Sequence, residues 1–171
     1  MKGAKAMYKV NNLLGKTIIN QTSGERVATV SDVVFSENMR TIIAILTEGS
    51  GWFSGACSIR WEGIISIGDV VVMRGDDAVS RLKDDALVRE LHERAHRITG
   101  TPLISQSGER MGAVDDVLIN ANGEVVGYEI KNGLFSGRKF LPVEKIVSVG
   151  KDAVITHTSD LAPIREVEQM T

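Results

Sequence analysis

Ser23-Gly24-Glu25-Arg26-Val27-Ala28-Thr29-Val30-Ser31-Asp32-Val33 decides the fold, because Ser107-Gly108-Glu109-Arg110-Met111-Gly112-Ala113-Val114-Asp115-Asp116-Val117 repeats its pattern 84 residues on. The tetrapeptide Ser-Gly-Glu-Arg is identical, and the same offset pairs Val30 with Val114, Asp32 with Asp116, Val33 with Val117 and Asn38 with Asn122. Downstream, Phe53-Ser54-Gly55 matches Phe135-Ser136-Gly137, and Glu62-Gly63-Ile64-Ile65-Ser66-Ile67-Gly68 matches Glu144-Lys145-Ile146-Val147-Ser148-Val149-Gly150, now at an offset of 82. Self-similarity at a fixed spacing is the signature of a tandem repeat. The drift in offset assigns two additional residues to the first copy, most simply Ser50-Gly51 in the loop before Phe53, where insertions are tolerated.

Each copy reads as short strands punctuated by glycine. Thr17 to Asn20 leads to a turn at Gly24 and then to Arg26–Ser36, with β-branched residues on alternate positions. Asn38 and Asn122-Gly123 mark the next reversal, and Asn-Gly suits the positive φ angles of a tight hairpin, so Val125 to Lys131 is expected to run back antiparallel to Met111 to Asn120. Such strands favour a closed sheet, which removes exposed edges. The fold class is therefore mainly β: two small antiparallel barrels in tandem, joined by an amphipathic helix. That helix is expected over residues 77–97, where Leu87, Val88, Leu91, Ala95 and Ile98 recur at helical spacing and Gly100-Thr101-Pro102 ends the pattern. The expected organisation is module 1 over 8–77, linker helix over 78–97, module 2 over 98–158 and a tail over 159–171 that forms a short helix or a loose end.

With 43% hydrophobic and 25% charged residues, the 171-residue chain can bury a core. Modules of about 70 residues bury only roughly 60% of their unfolded surface, so the two copies are expected to lean on each other. A net charge of −2, a pI near 5.9 and no block of like charge leave nucleic-acid affinity without a source. The single cysteine, Cys57, lies in an apolar stretch, reads as a small core residue and agrees with a reducing compartment. No apolar run has the length of a signal peptide or membrane span. A cytoplasmic protein without membrane insertion is expected.

The order of motifs, a Gly-Glu-Arg turn, a Val-x-Asp-Val strand, a hairpin, then Leu141-Pro142-Val143-Glu144-Lys145-Ile146 and Val149-Gly150-Lys151-Asp152-Ala153-Val154, resembles the PRC-barrel family. The first copy keeps Trp61-Glu62-Gly63-Ile64 and Gly68-Asp69-Val70 but has Ile59-Arg60 where the family shows Leu-Pro. The resemblance implies a small barrel used in the cytoplasmic part of a photosynthetic reaction-centre subunit, in a ribosome maturation factor and in stand-alone bacterial and archaeal proteins, uses that share protein binding more than chemistry. It supplies no catalytic residue and no cofactor. A non-enzymatic adaptor or scaffold of the stand-alone type is the expected function; a ribosome or RNA-maturation accessory is the alternative that the resemblance leaves open.

Four sets of residues stand out as candidate sites. His92-Glu93-Arg94-Ala95-His96 fits H-E-x-x-H, in which histidines one helical turn apart bind zinc and the glutamate polarises water. No third ligand follows at the spacing such hydrolases use, so His92 and His96 are expected on a solvated linker helix, with a zinc hydrolase as a lesser alternative. Asp32 and Asp116 share a strand face with apolar neighbours. Because both copies carry them, they are expected to accept backbone N–H bonds at a bulge or barrel rim. Trp52 and Phe53, with Leu134 and Phe135 opposite in the repeat, sit in glycine-flanked turns, where they cap a barrel or anchor a partner.

Ile43 and Ile45 complete the partner-binding candidates. Pairing Ile42–Thr47 with 126–131 places Ile42, Ala44 and Leu46 on an inner face matching Val126, Tyr128 and Ile130. The other face carries Ile43, Ile45 and Thr47 in the first copy against Gly127, Glu129 and Lys131, an ordinary wet surface, in the second. Leaving two isoleucines exposed would forgo roughly 1.5–3 kcal/mol each. The linker helix, the second barrel or another subunit is expected to cover them, and a symmetric subunit contact would make the protein a homodimer.

Overall fold

Backbone pairing in the computed structural model, which describes residues 6–49, 54–133 and 137–164, reproduces the repeat as two curled sheets. The chain opens on β1 (Met7–Lys9). The first copy contributes β2 (Thr17–Asn20), β3 (Arg26–Phe35), β4 (Ile42–Glu48), β5 (Cys57–Arg60), β6 (Ile64–Ile67), β7 (Val71–Met73) and β8 (Val79–Arg81). After α1 (Ala86–Arg94) come β9 (Pro102–Ser105), β10 (Arg110–Asn120), β11 (Val125–Lys131), β12 (Lys139–Pro142), β13 (Ile146–Val149), β14 (Val154–Thr156) and β15 (Ala162–Pro163). Spatial order is β6-β7-β2-β3-β4-β5-β8 in one sheet and β13-β14-β9-β10-β11-β12-β15 in the other, with β1 added on β10. All pairings are antiparallel except β2 with β7 and β9 with β14, which are parallel.

The register of the repeat differs from the sequence pairing by one residue. Both central hairpins bulge at the same place, between Val30 and Asp32 and between Val114 and Asp116, and there Val30 faces Thr47 while Val114 faces Ile130. Ile45 therefore matches Tyr128 and Leu46 matches Glu129, and β4 and β11 share one burial pattern position by position. The two additional residues of the first copy are split. One lies in the β3–β4 turn, where Arg40 and Thr41 stand opposite Glu124 alone, and one lies between β4 and β5. A shift of one residue reverses every face of a strand, and that is the outcome here. Ile45, 1% exposed, joins the main core, whereas Ala44 and Leu46 form the outer face with Val34.

The helix is shorter than the residue pattern suggests. Val79–Arg81 runs as an edge strand on β5, and only Ala86–Arg94 is helical. Asp85 starts the helix by accepting the Val88 N–H at 3.1 Å, and Arg60 of β5 grips the same carboxylate with two bonds of 2.7 and 2.8 Å. Ala95 is already extended, because the chain must cross to the second sheet, where Gly100 donates to the Val114 carbonyl. Val88 and Leu91 cover Val34, Ala44 and Leu46, with Ile43 at the margin. The apolar face of the first copy is thus covered within the chain by the helix between the copies, one of the three covers expected for it.

The second copy solves the same problem with the chain ends. Met7 of β1 and Ile164 pack with Leu118, Phe140 and Val126. β15 pairs with β12, which makes residues 162–163 of the expected tail a strand. Gly127 leaves room for the Phe140 ring, since a Cβ there would meet Phe140 Cε2 at an impossible distance. The first copy places Ala44 and Ser58 at these positions, a small pair in place of a glycine and a ring.

Candidate functional site

The two sheets meet where their central hairpins cross. Thr41 and Glu124 form an antiparallel bridge, the Ile42 N–H donates to the Gly123 carbonyl at 2.7 Å, and the Val125 N–H donates to that of Arg40 at 2.8 Å. Ile42, Trp61, Val125 and Tyr128 belong to one core running through both copies, as expected for modules too small to stand alone.

Around this crossing the repeat makes two matched junctions, and they are filled differently. Trp61 opens the turn that leads into β6, and its indole lies flat against Gly123, the left-handed residue (φ 81°) of the opposite hairpin. A Cβ on Gly123 would lie 2.6 Å from Trp61 Nε1. At the other junction Val143 holds the position of Trp61, opening the turn into β13, and Met39 holds that of Gly123. The two turns share one bond, with Met39 donating to the Ser36 carbonyl as Gly123 does to that of Asn120. A valine in place of an indole leaves a cleft of about 240 Å³, lined by Met39, Arg40, Tyr128, Val143, Ile146 and Val147 among others.

Polar groups make the cleft more than a packing gap. The Tyr128 side chain is 0% exposed and its hydroxyl has no hydrogen-bond partner; burial pushes its pKa up to about 12, against the opposing pull of the Arg40 charge. Buried hydroxyls ordinarily find partners. Arg40, exposed at the rim, donates from Nη1 to the Val143 carbonyl at 3.3 Å, which holds its guanidinium across the opening. Val147 on the opposite rim is 50% exposed.

Elsewhere the charged groups are committed to structure. Asp32 and Asp116 each accept the N–H of the next residue at 2.8 Å, directly after the bulge, as expected of a repeated structural role. They differ in setting. Asp32 is exposed and 3.8 Å from His92, whereas Asp116 is buried and also accepts the Asn11 N–H at 3.1 Å. Burial raises the Asp116 pKa against those two hydrogen bonds. Glu129, matched to Leu46 and expected on a wet surface, is 2% exposed, paired with Lys9 of β1 and with Arg138, each at 2.6 Å. Arg138 also binds Asp115 at 2.8 Å and holds that carboxyl below its usual range although burial works the other way. Only the pairing of β1 with β10 brings Lys9 to Glu129, so sequence spacing carried no sign of this cluster.

The other candidates disperse. His92 lies on α1, but the helix ends at Arg94, so His96 falls beyond it and the two rings are not one turn apart. Among the described residues no group of three or more His, Cys, Asp or Glu is placed to hold a metal. Trp52 and Phe53, with Leu134 and Phe135, lie outside the described residues. Ile45 is in the core and Ile43 is half-buried beside α1.

Comparison with known families agrees with this architecture. The model of the PRC-barrel domain matches residues 5–79 and again 91–161. The chain belongs to the PRC-barrel domain family. A search among curated proteins finds no match. Both PRC-barrel copies are covered by the matches, and the crossing that builds the cleft joins one to the other. No helix among the described residues is long and apolar enough to cross a membrane.

Proposed function

We propose that this tandem PRC-barrel protein is a non-enzymatic scaffold of the cytoplasm that binds another protein through the face where its two copies meet. The observation that carries the reading is the commitment of its buried acids. Asp116 accepts the Asn11 and Val117 N–H groups and Glu129 pairs with Lys9 and Arg138, while the Tyr128 hydroxyl, buried without a hydrogen-bond partner, belongs to a recess flanked by apolar side chains. Recesses with few polar groups suit recognition. Cross-linking in the native cell followed by identification of the partners tests this: the expected result is a small set of proteins whose cross-links fall on Arg40, Lys145 and their neighbours. Cross-links confined to the far ends of the sheets would sink it, and recovery with ribosomal subunits at low salt would move the reading to ribosome maturation.

A further inference from the structure

We infer that the cleft beneath Met39 is a receptor for a tryptophan side chain of the partner, built as an unfilled copy of the junction that Trp61 fills inside the molecule. The proposal rests on the scaffold reading above and specifies the chemistry of its partner. Three observations converge on it.

The first is the internal precedent. Trp61 against Gly123 shows what this junction accepts: a flat indole between a hairpin turn and the first residue of the next strand's lead-in. Val143 stands in the place of Trp61, and the space left is about 240 Å³. An apolar cavity of about 150 Å³ already admits a benzene ring, so an indole fits by size.

The second is the unsatisfied Tyr128 hydroxyl, which replaces the methyl groups of Ile45 at the matched position. A core designed only to be filled would carry an aliphatic residue here, as the first copy does. The hydroxyl has no surface open to the cleft as it stands, so an occupant reaches it only as the lining side chains shift; an indole N–H then donates to the phenolic oxygen, and a phenyl ring cannot. Arg40 is part of the one-residue enlargement of this hairpin and lies across the mouth, where a guanidinium over an aromatic face is attracted by the ring quadrupole.

The third is Met39 itself. It is the one non-glycine residue with positive φ, at 55°, among the described residues, in a turn whose counterpart uses glycine. A side chain held in the left-handed region against its preference is a pointer to function. Met39 roofs the cleft with a flexible thioether, which adapts to an aromatic ring and contacts it favourably.

The test uses the full chain and N-acetyl-tryptophanamide as probe, followed by backbone NMR shifts. The expected result is saturable shifts centred on Met39, Arg40, Tyr128, Val143 and Ile146, with N-acetyl-phenylalaninamide weaker by about threefold to tenfold, the value of one neutral hydrogen bond. Val143→Trp is expected to abolish binding by filling the space, and Tyr128→Phe to remove the preference for tryptophan over phenylalanine. Met39→Gly is expected to weaken binding while leaving the midpoint of unfolding unchanged or higher, so lost affinity cannot be ascribed to lost fold. Shifts elsewhere, or binding indifferent to Tyr128→Phe and Met39→Gly, would overturn the site even if Val143→Trp fails to fold. In-cell cross-linking separates this from the broader reading. Partners captured equally well by the Tyr128→Phe and Met39→Gly proteins overturn the tryptophan receptor and leave the scaffold standing, whereas probe binding with no partner captured overturns the scaffold and with it the partner's identity as a protein.

Discussion

Outer face against outer face, the two copies answer one structural demand with opposite chemistry. In the first, Val34, Ala44 and Leu46 lie under Val88 and Leu91 of α1. In the second, Leu118, Gly127 and Glu129 lie at the matched positions, and the cover comes from β1, Phe140 and Ile164, with Lys9 and Arg138 neutralising the glutamate. The segment preceding each copy crosses to cover the other: β1 lies on the second sheet and α1 on the first. The exchange makes the pair the folding unit, and it teaches that a repeat conserves the slot and not its filling. The inner junctions show the same, with Trp61 over Gly123 on one side and Val143 under Met39 on the other.

Truncation at the junctions provides the largest contrast. Trp61→Ala is expected to cost about 3–5 kcal/mol, the range for buried aromatic truncation, while Val143→Ala, at a half-buried site beside a cleft, costs about 1 kcal/mol. Urea midpoints at constant m-value measure both, and equal losses would break the comparison. The outer faces come next. Leu46→Glu puts an unpaired carboxylate beneath α1 and is expected to cost more than about 3 kcal/mol. Glu129→Leu exchanges a buried ion pair for an apolar side chain and frees two cations that can reach water, so a change within about 1 kcal/mol is expected. A large loss from Glu129→Leu would show that the cluster is the main fastening of β1.

Gly123→Ala tests the filled junction at its tightest point. Its φ of 81° and the 2.6 Å approach to Trp61 Nε1 together predict a loss of about 2–4 kcal/mol. The matched Met39→Gly is expected to be neutral or to stabilise by up to about 1 kcal/mol, relief of left-handed strain being offset by glycine's entropy. Thermal unfolding in a Trp52→Phe background, where the fluorescence is that of Trp61, reports the first, and a stable Gly123→Ala protein would mean that the indole is free to move.

Acidification is the smallest effect and has opposite signs at Asp85 and at Asp116. The hydrogen bonds and charge of Arg60 depress the Asp85 pKa below 3.8 in the folded protein, with burial opposing. The stability it contributes is present above that value and is lost as pH falls through the lower, folded pKa. Burial raises the Asp116 pKa above 3.8, so protonation there begins first, as pH falls through the raised value, and stabilises the fold between that pKa and 3.8. Amide exchange from pH 5 down to pH 3 should show α1 loosening at the acid end while the Asn11–Asp116 contact changes earlier; simultaneous loss in both would contradict this assignment.

Much of the fold was legible along the chain because its evidence is local or repeated. The Ser-Gly-Glu-Arg turns, the Asn-Gly hairpin and the recurrent Asp32 and Asp116 needed only offsets and alternation, and the paired bulges appear where those aspartates pointed. The register inside the hairpin was not legible. One residue added after Met39 changes the matching of β4 with β11, and nothing in two short apolar runs distinguishes one alignment from its neighbour. The helix was overestimated because its pattern over Leu87 to Ile98 was extended to both sides, whereas Val79–Arg81 is held extended by its bonds to β5 and Ala95 is already extended.

By itself, then, the sequence determined the tandem PRC-barrel architecture, the turns and the acids that serve the bulges, since each follows from backbone preferences a few residues wide. Tertiary structure alone decided that Glu129 is buried, that β1 belongs to the second sheet, that Ile45 is core and that a cleft opens over Val143. Those depend on pairings between residues about a hundred positions apart, such as Lys9 with Glu129 and Arg40 with Val143. Whether a polar side chain is paired or orphaned depends on which distant side chain the fold sets beside it.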